Sequence, residues 1–319
     1  MNSSPFPPTA PLRGIVAPLI TPLIDRDALD AAGLERLVEH VLGGGVQGLF
    51  ILGTTGEGPS LGHRVRCEMI DQVCDQVQGR VPVLVGITDT SFVESVNLAE
   101  YAADAGASAV VFAPPCYFPI DQDALARHVE QLAPELPLRL LLYDIPNHAN
   151  VGFELATIRR LLELPSVIGV KDSSADMVRF HRLRKLVDQR PDWTLLVGPE
   201  ELLAEAVLSG ADGGVSGGSN LAPRLYVDLL EAARRRDLSR VARLHARVMQ
   251  ISERIYASTG HPAGVIAGLK GALACLGLIE DVLVEPLPPL EEAQRAAIRR
   301  ALMELDMLDR RRVGISAFD

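Results

Sequence analysis

Short apolar runs recur along the chain and alternate with stretches of helical periodicity. Eight runs rich in Val, Ile and Leu start about 30 residues apart, at 14–20, 46–52, 81–87, 108–113, 138–143, 166–171, 193–198 and 211–216. The stretches between them place apolar residues on one helical face, as residues 30–42 do. Ser91 or Thr90 is an N-cap candidate for another helix, over residues 91–105. The pattern predicts strands that are each followed by a helix.

Eight strand and helix units predict an α/β fold, a closed (β/α)₈ TIM barrel with additional C-terminal helices. The rival is an open doubly wound sheet that binds a dinucleotide, which needs a glycine-rich fingerprint after the first strand. Here the first strand runs into Thr21-Pro22-Leu23 instead. The closed barrel is therefore favoured.

The barrel is expected to span residues 12–222, after a short disordered Pro-rich leader at 1–11. Residues 223–319 are expected to form a helical extension of the same domain, with helices near 223–235, 237–259, 265–276 and 288–305. These helices have no strands of their own to cover. We expect them to cap the barrel or to build a subunit interface.

Composition narrows the classes of function. Of 319 residues, 48% are hydrophobic, and the formal net charge is −10, which disfavours nucleic acid and anionic membranes as partners. The four cysteines form no C-x-x-C pair, so neither zinc nor a structural disulfide is expected. The N-terminus lacks the features of a signal peptide, and no run of 18 apolar residues occurs. We expect a cytoplasmic protein.

Lys171 ends the sixth apolar run and precedes Asp172-Ser173-Ser174. Active sites of such barrels lie at the carboxyl ends of the strands. A lysine amine in apolar surroundings loses its proton more readily and can then attack a carbonyl to form a Schiff base. Taken alone, a lysine at a strand end is also consistent with a solvated charge or an ion pair.

Other strand ends carry polar groups. The Gly53–Gly58 stretch, Gly-Thr-Thr-Gly-Glu-Gly, could form an anion-binding nest for a carboxylate or phosphate, or could be a tight turn that needs glycine. Tyr143 follows an apolar run and is either a core tyrosine or a proton relay beside the lysine. Pro114-Pro115-Cys116-Tyr117 and a glycine-rich turn at 213–220 follow two further strands.

Together, these motifs resemble those of the dihydrodipicolinate synthase / N-acetylneuraminate lyase family of class I, Schiff-base pyruvate aldolases. The G-T-T-G-E stretch, the P-x-x-Y segment, Y-x-I-P and G-V-K-D occur in the family order over residues 12–289. The resemblance implies a TIM barrel, no metal or organic cofactor, and a homo-oligomer that is commonly a dimer of dimers.

The resemblance also implies residue roles. Lys171 would form the imine, with Tyr143 and Thr54 in the proton relay and Tyr117 reaching across a dimer interface into a neighbour's relay. Hydroxyl and backbone groups of the Gly53–Gly58 stretch, together with the backbone of the last strand, would bind the keto-acid end of the substrate. These candidates are Gly53, Thr54, Thr55 and Val215.

The chain departs from the synthases of this family where they place an arginine that receives a distal carboxylate. His148 stands there, and a mostly neutral histidine suits hydroxyls better. Small polar residues could form hydrogen bonds with a polyol tail of the substrate. They are Ser173, Ser174, Ser216, Ser219 and Asn220. Cys116 replaces the first tyrosine of the family's usual pair and is expected to be a small packed residue.

We therefore expect a lyase that cleaves, or reversibly forms, a 2-keto-3-deoxy sugar acid, giving pyruvate and an aldehyde. The first alternative is 4-hydroxy-tetrahydrodipicolinate synthase, which condenses pyruvate with aspartate semialdehyde. Dehydratases of deoxy keto acids share the imine and stay open. A non-catalytic keto-acid-binding protein and a phosphate-binding barrel isomerase are alternatives of other classes.

Overall fold

A computed structural model describes residues 12–115, 117–257, 260–261 and 263–308 of the chain. The expected leader 1–11, Cys116 and residues 309–319 lie outside the described residues. The architecture is a parallel barrel surrounded by helices, with further helices after the last strand.

The eight predicted strands are confirmed, and they close into a barrel in which each is parallel to its neighbours. They are β1 (Gly14–Pro18), β4 (Gly48–Ile51), β5 (Val83–Gly86), β6 (Ala109–Phe112), β7 (Leu140–Asp144), β8 (Val167–Asp172), β9 (Thr194–Val197) and β10 (Gly213–Gly214). Most are shorter than the apolar runs, because residues flanking a strand are also buried by the helices and loops around them.

Two elements between β1 and the first helix were not predicted. They are β2 (Leu23–Asp25) and β3 (Ala28–Leu29), which form a small antiparallel hairpin outside the barrel. Their brevity leaves too few residues for alternation to be visible in the sequence.

Helices cover the outside of the barrel, as predicted. They are α1 (Ala31–Gly43), α2 (His63–Val77), α3 (Phe92–Asp104), α4 (Gln122–Glu135), α5 (Pro146–Ala149), α6 (Leu155–Leu161), α7 (Met177–Val187) and α8 (Leu203–Leu208). Ser91 caps α3, because its side chain accepts a hydrogen bond from the backbone N–H of Glu94. Asp30, Asp121 and Asp176 cap α1, α4 and α7 in the same way.

The barrel strands are buried on both faces, so their side chains alternate between two apolar cores. On β7, Leu140 and Leu142 pack outward against the helices, whereas Leu141 and Tyr143 join the core inside the barrel. The alternation therefore directs the Tyr143 ring into the barrel.

A bulge in β8 reverses this alternation partway along the strand. Leu140 pairs with Val167 but Leu141 pairs with Gly169, so Ile168 has no partner of its own. Gly169 has a φ of 152°, and a Cβ there would lie 2.1 Å from the Thr194 carbonyl oxygen. As a result Val170 packs outward, and the next residue, Lys171, faces the barrel interior.

The C-terminal helices are α9 (Pro223–Arg234), α10 (Leu238–Ile251), α11 (Gly264–Cys275) and α12 (Glu292–Glu304). The helix predicted over 237–259 is α10 followed by a π-helical turn at Ser252–Tyr256, and Thr259 lies outside the described residues. Helix α11 contacts both the π-helical turn and the 217–220 turn after β10. In the described part of the chain, no helix combines the length and apolar character needed to cross a membrane.

Candidate active site

Lys171 and Tyr143 lie side by side at the carboxyl ends of adjacent strands. They are paired in the β7–β8 register, and both are buried. The Lys171 Nζ atom is 3.7 Å from the centroid of the Tyr143 ring and 5.2 Å from that of Phe50. The amine is therefore enclosed by aromatic faces at the end of the barrel where chemistry is expected.

The Tyr143 hydroxyl lies among groups that favour its ionised form. Burial alone would raise the pKa of Tyr143, but the charge of Lys171 and hydrogen bonds with Thr54, Lys171 and Ser173 outweigh burial and lower it. The Tyr143 hydroxyl is 3.3 Å from the Thr54 Oγ1 atom. A phenol with a lowered pKa, bonded to a second hydroxyl, can give and take protons beside the amine.

The loop after β4 brings backbone donors to the same end of the barrel. The Glu57 N–H donates to the Thr54 carbonyl, and the Gly58 N–H donates to the Gly53 carbonyl, so the loop folds back on itself. Within residues 12–308 as described, the N–H groups of Thr54 and Thr55 donate no hydrogen bond. Such a turn can bind a carboxylate.

A buried ion pair attaches this loop to the C-terminal helices. Glu57 and Lys270 of α11 are paired, and their side chains are 1% and 0% exposed. The Lys270 Nζ donates to the Val282 carbonyl at 2.6 Å, and the Glu57 Oε1 accepts from the Val284 N–H at 2.9 Å. The pair therefore joins the Thr54–Thr55 loop to α11 and to the segment after it.

The turn after β10 is fixed by two sets of hydrogen bonds. The buried Asn220 side chain donates to the Pro18 carbonyl at 2.8 Å and accepts from the Ile20 N–H at 3.0 Å, which links the last strand to the first. The Ser219 hydroxyl donates to the Ser216 carbonyl at 2.6 Å. The hypothesis that Ser219 and Asn220 read a polyol is therefore wrong, because both side chains are committed to the barrel's own backbone.

A buried carboxylate supports the same turn. Glu200 accepts hydrogen bonds from the Tyr226 hydroxyl at 2.5 Å, the Tyr256 hydroxyl at 3.0 Å and the Gly218 N–H at 2.7 Å. Burial raises the pKa of Glu200 to about 7, against the lowering effect of these three donors. The network anchors the turn next to Val215, whose N–H donates to the Val197 carbonyl at 2.8 Å.

Comparison with known proteins identifies the family. The model of the dihydrodipicolinate synthetase family matches residues 11–305. The chain belongs to this family. A 4-hydroxy-tetrahydrodipicolinate synthase of Bradyrhizobium diazoefficiens is 30% identical over 297 residues, which are 93% of this chain and 98% of that protein.

Solved structures of the dihydrodipicolinate synthetase family agree. A dihydrodipicolinate synthase of Bacteroides thetaiotaomicron has a TM-score of 0.90 and 51% identity, with 92% of this chain and 99% of that one covered. A prophage protein of the family from Escherichia coli K12, in complex with pyruvate, has a TM-score of 0.86 and 28% identity, with 92% and 99% covered. Members are lyases and aldolases, so the chain is a Schiff-base aldolase that makes or breaks carbon–carbon bonds in small molecules.

The other predicted site residues of this family member are more exposed than Lys171 and Tyr143. Tyr117 follows β6 and is 75% exposed, with its ring packed against the exposed Phe118. His148 lies on α5, the short helix that follows the strand of Tyr143, and its side chain is exposed. Ser173 is half-buried, and its N–H donates to the Asp144 carbonyl at 2.8 Å. The structure thus brings Lys171 and Tyr143 together with Thr54, whereas Tyr117 and His148 are exposed.

Sequence reasoning gave no role to three buried charged residues that support the site, Glu57, Lys270 and Glu200. Their partners are far away in the sequence, so no local spacing reveals them. The last residue of the G-T-T-G-E stretch was the one available signal, since a glutamate inside a turn of small residues needs a partner when it is buried. In the described residues, no cluster of three or more His, Cys, Asp or Glu side chains could hold a metal ion.

The raised pKa of Glu200 predicts a stability that depends on pH. The folded state binds this proton more tightly than the unfolded state, whose carboxyl has a pKa near 4.5. The stabilisation is complete below pH 4.5 and is lost as the pH rises through about 7. We expect Glu200 to contribute a fall of about 3 kcal/mol in the free energy of unfolding over this range.

Urea unfolding between pH 4.5 and 8 measures this fall, and Glu200→Gln is the control because an amide does not titrate there. The wild-type curve should descend relative to that of the variant. Parallel curves would show that another group causes the pH dependence.

Proposed function

We propose that Lys171 forms a Schiff base with pyruvate or with a pyruvate-derived 2-keto acid. The observation that carries the proposal is the Lys171 amine, buried at the carboxyl end of β8 against the Tyr143 ring, with the Thr54 hydroxyl beyond it. The family provides the class of reaction, and these contacts provide the groups that the reaction needs.

In the cleavage direction, the Lys171 amine attacks the keto carbon, and loss of water gives the imine. Tyr143 supplies the proton that the departing water needs, and its phenolate then accepts the proton of the substrate's C4 hydroxyl. The C3–C4 bond breaks, an aldehyde leaves and the electron pair remains on the enamine. Protonation at C3 and hydrolysis of the imine release pyruvate and restore the amine.

The neighbouring residues fit supporting roles. The N–H groups of Thr54 and Thr55, with the Gly53 backbone, would bind the carboxylate of the keto acid. The Val215 backbone would face the same keto-acid end, and Ser173 would assist the Tyr143 hydroxyl. The exposed Tyr117 would complete the relay of a neighbouring subunit in a dimer or a dimer of dimers.

For the substrate, we propose a 2-keto-3-deoxy sugar acid. The support is His148, which follows the tyrosine motif. The synthases that this chain resembles have an arginine at that position. A guanidinium is a permanent fork for a carboxylate, whereas an exposed imidazole is better suited to the hydroxyl groups of a sugar chain.

The second candidate is 4-hydroxy-tetrahydrodipicolinate synthase. It is favoured by the names of relatives, among them the Bradyrhizobium protein at 30% identity and the Bacteroides protein at 51%. This candidate requires another group to receive the distal carboxylate of aspartate semialdehyde in place of His148.

A direct comparison of the two reactions decides between the candidates. We expect pyruvate release from at least one of a panel of 2-keto-3-deoxy acids, with a kcat/KM at least about tenfold above that for condensation of pyruvate with aspartate semialdehyde. His148→Arg should shift the ratio towards condensation, and His181→Arg, on α7, is a matched control. Efficient condensation by the wild type would establish the second candidate.

A further inference from the structure

Another buried ion pair lies beside the candidate active site. Asp144 ends β7, directly after Tyr143, and its side chain is 0% exposed. It pairs with Arg179 of α7, whose side chain is 20% exposed. Burial raises the pKa of Asp144, while Arg179 and a hydrogen bond from the Phe153 N–H lower it. A buried ion pair adds little net stability compared with apolar side chains of similar volume, so a positioning role explains this one better.

The two side chains hold both backbone groups of Phe153. The Phe153 N–H donates to the Asp144 Oδ1 atom at 2.9 Å, and the Arg179 guanidinium donates to the Phe153 carbonyl and to the Asp144 Oδ2 atom. Gly152 permits this close approach, because a Cβ there would lie 2.9 Å from the Asp144 Oδ1 atom. We call this arrangement the Asp144–Arg179 clamp.

The clamp holds the far end of a short loop, residues 145–153, which contains α5 and His148. The near end of the loop continues directly from β7. Ile145 and Ala149 are buried in the apolar core inside the barrel, so the loop packs against the end of the barrel where the candidate active site lies. Because both ends of the loop are held, the place of His148 beside the site is determined by these contacts.

Gln122 of α4 holds the same end of the loop from another side. Its side chain donates to the Gly152 carbonyl at 2.8 Å and accepts from the Glu154 N–H at 3.0 Å. The residues on either side of Phe153 are therefore attached to α4, while Phe153 itself is attached to β7 and α7. The end of the loop is fixed to three elements of the barrel.

We propose that the Asp144–Arg179 clamp positions the 145–153 loop for the second reactant, the aldehyde that joins or leaves pyruvate. The inference rests on the proposed function, in which Lys171 holds pyruvate as an imine and His148 binds the rest of the substrate. Arg179 is a positioning residue, because it contacts Asp144 and the backbone of the loop. The clamp therefore sets the affinity for the aldehyde and leaves formation of the pyruvate imine unchanged.

Arg179→Met tests the clamp, and Arg182→Met, which removes an exposed arginine of the same helix, is the matched control. Condensation is measured with pyruvate and, as the aldehyde, D-glyceraldehyde or aspartate semialdehyde, whichever the wild type uses better. We expect Arg179→Met to raise the KM for the aldehyde at least about tenfold, while kcat and the KM for pyruvate stay within about twofold of the wild type. Arg182→Met should match the wild type.

Two further variants separate positioning from a loss of stability. Arg179→Lys keeps a cation opposite Asp144 and should recover most of the affinity for the aldehyde. Asp144→Asn/Arg179→Met leaves no buried carboxylate without a partner, and its amide oxygen can still accept from the Phe153 N–H. The double variant should recover melting temperature but keep the raised KM for the aldehyde, because the Phe153 carbonyl still lacks its donor.

Two readouts show whether the clamp acts through the loop. Hydrogen exchange of residues 145–153 should be faster in Arg179→Met than in the wild type or in Arg182→Met. In a His148→Ala background, Arg179→Met should change the KM for the aldehyde by less than about twofold, because the side chain that the clamp positions is already absent.

The proposal is overturned if Arg179→Met leaves the KM for the aldehyde or the exchange of the loop unchanged, if it raises both KM values equally, or if its effect is as large in the His148→Ala background. Trapping of the pyruvate imine with borohydride separates this result from the proposed function. A wild type that forms the adduct but condenses neither aldehyde would overturn the role of the clamp and leave the Schiff base standing. A wild type without an adduct would refute both.

Discussion

Lys171→Met is expected to lower kcat/KM for any pyruvate-forming substrate by at least about 10⁴-fold, because it removes the nucleophile while keeping a side chain of similar length. Met is uncharged and apolar, so it suits the buried position between the rings of Tyr143 and Phe50. Reduction with borohydride in the presence of pyruvate, followed by peptide mass spectrometry, tests the same group directly. The wild type should carry one reduced adduct on Lys171.

The chain is well suited to this experiment because it contains only three lysines, Lys171, Lys185 and Lys270. Lys185 is exposed on α7 and is the matched control. Lys185→Met should retain both activity and the adduct. An adduct that persists in Lys171→Met, or a wild type that gives none, would refute the proposed Schiff base at Lys171.

Lys270→Met is expected to lower the free energy of unfolding by about 3–5 kcal/mol. The substitution leaves the Glu57 carboxylate buried without its cation, and an uncompensated buried charge is strongly destabilising. It also removes the hydrogen bond to the Val282 carbonyl. Denaturant unfolding near neutral pH measures the change.

The double variant Glu57→Gln/Lys270→Met shows whether the pair is the cause. A glutamine at 57 can still accept the hydrogen bond from the Val284 N–H, so the double variant should recover a large part of the lost stability. Lys185→Met, which removes an exposed lysine, should change stability by less than about 0.5 kcal/mol. The single variant Glu57→Gln completes the comparison. If the losses of Glu57→Gln and Lys270→Met simply add in the double variant, the two residues are not energetically coupled.

The fold could be predicted because buried strands leave apolar runs in the sequence. Each of the eight strands lies between two apolar cores, so each appears in the sequence as an apolar run, and the amphipathic helices appear between them. The hairpin of β2 and β3 lacks that signal: Leu23 is buried, whereas the other strand residues are exposed or half-buried.

The supporting contacts of the site could not be predicted in the same way. The Glu57–Lys270 pair joins residues that lie on different elements, and Glu200 gathers Tyr226, Tyr256 and the Gly218 N–H from three further elements. Such partners are selected by packing in three dimensions. For Ser219 and Asn220, the sequence shows small polar groups, and only the structure shows that the backbone uses them.

For Lys171, the position along the strand follows from the sequence, whereas the direction of the side chain follows from the tertiary structure. The sequence alone places a lysine at the carboxyl end of the sixth barrel strand, because the apolar run, the spacing of eight such runs and the position of active sites at strand ends are all local or periodic properties. The direction of its side chain was decided by the bulge at Gly169, where β8 gains one residue relative to β7. Strict alternation would have turned the lysine outward. The close approach of β9, which leaves no room for a Cβ at Gly169, and the pairing with β7 turn it towards Tyr143.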